Sequence, residues 1–341
     1  IWLGLTQGIL SGNFCVNRSP CLFSKINHMP RNITRRQSLK MLGTTSVALP
    51  LMGAVPFFEK SKTTERSQPD IHIFSKHLQW LDFSAMAIKV AEMGFDGTDL
   101  TVRPGGHVEP ARVKEDLPKA IEQLRKAGLQ ATMITTSIEK VQDYHTEEII
   151  KTASQLGISY YRMGWIKYDQ SKPISKQLDG IKQQLKELET MNKHYQIRGV
   201  YQNHAGMSFG SAVWDLWFLL NELDSDYLGC QYDVRHAMVE GLNSWELGFD
   251  LITPFIKVLV VKDFNFTNEG SLVQNVPMGE GVVKWRAFFQ KLKAKNINAP
   301  ISLHCEYPLG GAEKGSKILE IPENEVLEAM KRDFSVLKSF F

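Results

Sequence analysis

From residue 70 onward, short β-branched or apolar runs alternate with stretches whose apolar residues recur at the helical period. The runs 71–74, 98–102, 131–138, 160–166, 197–202, 229–233, 256–261 and 301–306 predict eight strands. The segments 85–93, 117–127, 147–156, 174–194, 211–222, 245–252, 283–295 and 325–341 predict the helices that follow them. Gly94, Gly128 and Gly157 close the first three helices, where a left-handed residue commonly ends a helix. Strand, helix, strand at such short intervals marks parallel βαβ units. Eight of them suit a closed (β/α)8 TIM barrel of the α/β class better than an open sheet. No G-x-G-x-x-G follows the first strand, which speaks against a dinucleotide-binding fold.

The last four strands end in polar residues: Tyr201-Gln202-Asn203-His204, Gln231-Tyr232-Asp233-Val234-Arg235-His236, Val260-Val261-Lys262-Asp263 and His304-Cys305-Glu306-Tyr307. Polar groups at the C-terminal strand ends are how such a barrel builds an active site. Side chains alternate along a strand. An inward Asp233 therefore takes Gln231 with it and turns Cys230 and Tyr232 toward the helices. An inward Glu306 takes Ser302 and His304, an inward Gln202 takes Val200 and His204, and Val260 shares a parity with Lys262. Asp99 pairs with Thr101 in the same way, and Arg162 with Tyr160. The barrel mouth is thus expected to hold Asp99, Gln202, His204, Asp233, Lys262 and Glu306, with His236 just past its strand. Burying so many polar groups is costly unless they are paired, bind a cation or bind a ligand. Singly, each has a plainer role: a solvated loop residue, a strand-capping pair in Lys262-Asp263, a satisfied core histidine in His304. Arg103 and His107, in the loop after the second strand, are placed to close over a substrate. Gly-rich segments at 278–281 and 309–311 fall in the last two βα loops, where backbone N–H groups often meet phosphate or sugar oxygens.

The formal net charge of the 341-residue chain is +3 with no long basic run, which argues against nucleic acid as a partner. None of the four cysteines has metal-type spacing, and Cys230 and Cys305 are expected as buried thiols. Trp214, Trp217 and Trp245 lie on expected helices, where core packing or a homo-oligomer interface is the ordinary role. Thr34-Arg35-Arg36-Gln37-Ser38-Leu39-Lys40 resembles a twin-arginine export motif, and an apolar stretch follows from 41 to 58. Residues 1–65 are therefore read as a leader, with 1–28 lying upstream of a start at Met29. Residues 66–341 are read as the barrel domain. The expected location is periplasmic or extracellular, and the apolar stretch is too interrupted and short to span a membrane.

Gly94-Phe95-Asp96-Gly97, Asp233-x-x-His236, Lys262-Asp263, Gly279-Glu280-Gly281 and Glu306 occur in an order that resembles the sugar phosphate isomerase/epimerase superfamily, the xylose isomerase-like barrels. The resemblance covers roughly residue 70 to the end. It implies one divalent metal, Mn, Mg or Zn, held by a strand-five Glu, a strand-six Asp, a strand-seven His and a strand-eight Glu. The two Glu side chains would shuttle a proton on a sugar. Asp233 and Glu306 match ligands, and His236 matches a substrate-contacting histidine. Gln202 and Val260 stand where the first Glu and the His are implied. Gln cannot serve as a base, and Val cannot ligate. Two repairs stay open. His204 or His304 could join Asp233 and Glu306 around the metal, or the Lys262 ammonium could supply the positive charge. The implied activity is an isomerase or epimerase abstracting a proton next to a carbonyl, with Glu306, Lys262 and His236 catalytic. Arg103, His107, Arg162, Gln202 and Asp263 would bind a small carbohydrate, unphosphorylated because the protein is read as exported. A keto-glycoside lyase or hydrolase and a sugar-binding pseudoenzyme are the alternatives.

Overall fold

The computed structural model describes residues 68–267 and 273–341, so the expected leader lies outside the described residues. The strands are β1 Ile71–Phe74, β2 Gly97–Thr101, β3 Gln130–Thr135, β4 Tyr160–Arg162, β5 Arg198–Gln202, β6 Leu228–Asp233, β7 Ile256–Val261, β8 Asp263–Phe266, β9 Val273–Val276 and β10 Ile301–Leu303. All but β8 and β9 close into a parallel barrel in the order β1-β10-β7-β6-β5-β4-β3-β2. The helices are α1 Phe83–Met93, α2 Val113–Lys126, α3 Thr146–Gln155, α4 Ile174–Tyr195, α5 Val213–Leu220, α6 Val234–Gly241, α7 Trp245–Ile252, α8 Trp285–Ala294 and α9 Glu323–Lys338. Two features go beyond the sequence reading. One is α6, which leaves β6 directly, and the other is the antiparallel hairpin of β8 with β9.

Local chemistry sets these elements. In α2 the buried residues Val113, Leu117, Ala120, Ile121 and Leu124 form one stripe. Glu115 and Asp116 sit in its first turn and Arg125 and Lys126 in its last, which suits the helix dipole. Asp82 caps α1 by accepting the Ala85 N–H, and Gly94 ends that helix at φ 91°, a conformation glycine adopts without strain. Among the described residues no helix is long and apolar enough to cross a membrane.

Apolar packing divides into two shells. The larger lies between strands and helices and contains Cys230 and Tyr232, as strand alternation predicts. The smaller lies inside the barrel, where Met133, Val200 and Val258 pack with Tyr160 as a floor. Above that floor Asp99 accepts from Thr135 and Ser302, each at 2.8 Å. Cys230 and Cys305 are buried free thiols whose pKa burial raises, which leaves them inert. Trp217 and Trp245 pack against the outer core, whereas Trp214 is exposed.

Candidate active site

Lys262 immediately follows β7, and its ammonium sits at the centre of the barrel mouth. Its Nζ lies 2.9 Å from Glu306 Oε2, 3.2 Å from Asp233 Oδ2 and 2.9 Å from His236 Nε2. Asp233 is the N-cap of α6, and its Oδ1 accepts the His236 backbone N–H at 3.2 Å. That cap swings the His236 ring onto Lys262. Gln202 donates from Nε2 to Asp233 Oδ2 at 2.9 Å. Asn203 clamps the same strand end, donating to the Asp233 carbonyl at 2.9 Å and accepting the Asp233 N–H at 2.8 Å.

Glu306 follows β10, and its side chain is 22% exposed. Its Oε1 accepts from Lys76 Nζ at 3.1 Å and stands 3.6 Å from His304 Nδ1. Burial alone would raise the Glu306 pKa. Lys262, His304 and Lys76 together outweigh burial and hold the carboxyl well below the usual range. Glu306 is therefore an anion at neutral pH. Burial, reinforced by Lys262, His204 and Arg235, pushes His236 well below an ordinary histidine and leaves it neutral. His204 is lowered by burial and by Lys262. Its Nδ1 lies 2.9 Å from the Ala205 carbonyl, which only accepts, so Nδ1 carries the hydrogen and Nε2 is an acceptor.

A cavity of about 170 Å³ opens over this cluster. Lys76, Arg103, Arg162, Lys262 and Glu306 supply its charged wall, and Phe74, Trp165, Gln202, His204 and His304 complete it. Phe74 stacks on His304 with centroids 4.3 Å apart, while His204 packs between Trp165 at 4.4 Å and His236 at 3.9 Å. An apolar cavity of roughly 150 Å³ admits benzene, so this one has room for a single six-membered ring.

Most of the expected residues meet here. Glu306, Lys262, His204, His304, Arg103, Arg162 and Gln202 line the cavity, with Asp233 and His236 directly behind Lys262. Asp263 does not. Its Oδ2 accepts from the backbone N–H groups of Gly279 at 3.0 Å and Gly281 at 3.1 Å and from Trp285 Nε1 at 2.8 Å. A Cβ at Gly281 would fall 2.0 Å from Asp263 Oδ1. The first Gly-rich loop thus wraps a protein carboxylate rather than a sugar. In the second, the N–H groups of Leu309 and Gly311 donate to Glu313 Oε2 at 3.0 and 2.9 Å. His107 does not line the cavity either: Nε2 is 3.1 Å from the Leu78 carbonyl and Nδ1 is 3.3 Å from Thr101 Oγ1. Both ring nitrogens pin the loop, and burial pushes the His107 pKa down to about 4.

The expected metal set of Asp233, Glu306, His204 and His304 is not assembled. Lys262 fills the space between the two carboxylates, His204 turns Nδ1 to a carbonyl, and His304 turns Nε2 to Ser302 Oγ at 3.2 Å. Val260 sits in register between Asp233 and Ser302 and offers only methyl groups. Among the described residues no group of three or more His, Cys, Asp or Glu is arranged to hold a metal ion. The donors present do not fit a divalent cation. Lys76, Phe74 and Trp165 were missed from sequence, although Lys76 stands just past the first strand end, where the same logic could have found it.

Solved structures with this fold include sugar-converting enzymes. The apo 3-keto-D-glucoside 4-epimerase YcjR from E. coli superposes with a TM-score of 0.59 at 11% identity, covering 80% of this chain and 100% of its own. The D-allulose 3-epimerase from Methylomonas sp. gives 0.59 at 14% identity, with 80% and 98% covered. The zinc-bound IolI protein gives 0.56 at 14% identity, with 80% and 99% covered. At such identities the likeness is one of fold. No curated protein matches the chain by sequence. A family profile does match, over residues 88–331, and with the closed parallel barrel it makes this chain a member of the xylose isomerase-like TIM barrel family.

Proposed function

We propose that the protein is a sugar isomerase of the proton-transfer kind, working on an unphosphorylated sugar. Glu306 takes the hydrogen from a carbon next to a carbonyl, and Lys262 and Lys76 hold the negative charge that develops on the oxygen. The observation that carries this reading is Glu306 itself. Among the described residues it is the one carboxylate on the cavity wall, and it lies between two ammonium groups. Fixed cations aimed at developing charge are among the strongest contributions an active site makes. Support also comes from the 3-keto-D-glucoside and D-allulose epimerases that share the fold.

One carboxylate restricts the chemistry. The C–H electron pair moves into an enediolate as the proton passes to Glu306. Returning that proton to the adjacent carbon, while the hydroxyl proton crosses from one enediolate oxygen to the other, interconverts ketose and aldose. Expelling a group from the β-carbon instead gives keto-glycoside cleavage. Epimerisation needs a second proton carrier on the opposite face of the ring. Gln202 cannot be that carrier, although His204 and His304 also line the cavity. Isomerisation or elimination is thus favoured over a two-carboxylate epimerisation. The expected export leader gives this reading its setting outside the cytoplasm, where free sugars and glycosides are the available substrates.

The test is hydrogen exchange. Free ketoses, aldoses, sugar acids and 3-keto-glycosides are incubated with the protein in D2O and followed by proton NMR. Loss of one C–H signal that persists in EDTA and vanishes in Glu306→Gln is the expected result. If the wild-type protein exchanges no hydrogen of any of these sugars, the isomerase reading falls and binding alone remains.

A further inference from the structure

Among the described residues two cations on the cavity wall make no ion pair with a carboxylate. Arg162 is 4% exposed but reaches no carboxylate. Its Nη2 donates to the Thr136 carbonyl at 3.2 Å, its Nη1 is 3.5 Å from Gln202 Oε1, and its Nε is buried with no hydrogen-bond partner among the described residues. The guanidinium lies 4.3 Å over the Trp165 ring. The Arg103 guanidinium stands 5.6 Å over the Phe74 ring and makes no ion pair or hydrogen bond among the described residues. Burial lowers the Arg162 pKa to about 10, and Arg103 adds to that as a like charge, while Asp99 and Glu306 oppose it from a distance. Both arginines remain charged at neutral pH.

The surrounding carboxylates do not balance them. Lys76 and Lys262 pair with Glu306, and Lys262 also pairs with Asp233. Asp99, in the layer below, is the nearest further negative charge, and its two oxygens accept from Thr135 and Ser302. Lys76, Arg103, Arg162 and Lys262 thus face Asp99, Asp233 and Glu306, and the site is short of one negative charge. An uncompensated buried cation is strongly unfavourable. A sugar hydroxyl could accept the free Arg162 Nε–H, but it would bring no charge. A guanidinium fork matches a carboxylate in two parallel hydrogen bonds.

We propose that the ring bound here carries a carboxylate, so that the substrate is a sugar acid such as a hexuronate or its keto derivative, anchored by Arg103 and Arg162. This rests on the proton-transfer reading of the same cavity and adds the class of substrate. The room for one ring favours a compact planar anion over a bulkier phosphate.

Calorimetric titration tests it. The wild-type protein and Arg103→Gln are titrated with D-glucuronate, D-galacturonate and D-mannuronate, with the parent hexoses and with D-glucose 6-phosphate. At least one acid should bind about ten-fold or more tightly than its hexose. That advantage should shrink as salt rises and should collapse in Arg103→Gln. Arg103 lies in a loop, so the variant tests charge without unfolding the barrel. If every acid binds no better than its hexose, or the sugar phosphate binds best, the proposal is overturned. The outcome is separable from that of the D2O experiment. Exchange on neutral sugars without acid binding removes only the carboxylate, and acid binding without exchange on any sugar removes only the catalysis.

Discussion

Replacing Lys262 by Met removes the ammonium and nearly preserves its volume. Lys262 is 3% exposed and Asp233 is fully buried, at 0% for its side chain. Among the described residues the variant leaves Asp233 charged in the barrel with the Gln202 amide, the His236 N–H and, at 3.6 Å, the neutral His236 ring as side-chain partners. Removing one member of a buried ion pair typically destabilises by about 3–5 kcal/mol. Glu306 is 22% exposed and keeps Lys76, so water and that lysine offset part of its loss. The lower end, about 3 kcal/mol, is therefore expected. That is a large share of the 5–15 kcal/mol that holds a typical domain together. Urea unfolding at neutral pH, followed by circular dichroism, measures it. The control is the double variant Asp233→Asn with Lys262→Met, which removes both charges. It should be more stable than Lys262→Met alone, because no unpaired charge remains at Asp233. If Lys262→Met changes stability by less than about 0.5 kcal/mol, or the two substitutions simply add, the ammonium is not the keystone of this cluster.

Glu306→Gln should reduce hydrogen exchange at least about 100-fold, with a smaller loss of melting temperature than Lys262→Met, since its carboxylate is partly solvated. Asp263→Asn should destabilise by about 1–3 kcal/mol, because it turns an amide toward backbone donors in the Gly279–Gly281 loop. Ligand affinity should stay unchanged, because Asp263 does not line the cavity; weaker sugar binding in a stably folded variant would overturn that placement. Acidification should destabilise the protein. His72, His77, His107, His236 and His304 all have lowered pKa values, with burial the leading cause. The unfolded chain binds protons at these residues below about pH 6.5 while the folded chain refuses them, so stability falls with pH. The slope is up to about 1.4 kcal/mol per pH unit for each histidine. For His107 it should persist down to about pH 4. A melting temperature that is flat between pH 7 and 5 would contradict this.

The barrel was legible because every unit repeats one signal, an apolar run followed by a helical stripe, with glycine closing the early helices. Strand alternation correctly placed Cys230 and Tyr232 outside and Asp233 inside, because a pleated strand leaves no other choice once one residue is fixed. The hairpin was missed for a different reason. Asp263–Phe266 alternates, but Val-Gln-Asn-Val at 273–276 does not, and the barrel cadence expects a loop between a strand and its helix there. Asp263 and His107 were misplaced because strand-end position says nothing of direction. Asp263 is one residue beyond Lys262, so alternation alone points it away from the cavity that Lys262 enters. His107 is a loop residue, and only the folded loop shows that Leu78 and Thr101 claim both its nitrogens. No sequence rule could have found the Arg162 Nε without a partner among the described residues, which depends on how the guanidinium settles between Thr136, Gln202 and Trp165.

The two departures from the expected metal ligand set, Gln202 and Val260, form one consistent change around the Lys262 ammonium. A divalent cation held by two Glu and one Asp leaves a net charge of minus one. Asp233 and Glu306 around one ammonium also leave minus one. Exchanging a two-plus centre for a one-plus centre thus requires the loss of one carboxylate, and that position is Gln202. Its amide donates to Asp233 Oδ2 at 2.9 Å, which a carboxylate could not do. The imidazole is dispensable because an ammonium needs acceptors rather than a coordination shell, and Val260 occupies its place. The reverse exchange should therefore work only as a set. Gln202→Glu alone would leave Lys262 in the cation position and set its new charge beside Arg162, whose Nη1 is 3.5 Å from Gln202 Oε1, so it should bind no Mn2+ or Zn2+. Gln202→Glu, Val260→His and Lys262→Met together supply three carboxylates, an imidazole and a vacated centre, a donor set suited to Zn2+ or Mn2+. Calorimetric titration with each metal decides it. Tight binding by Gln202→Glu alone, with Lys262 in place, would show that the lysine does not hold the cation position. Tight binding by the triple variant alone would show that it does.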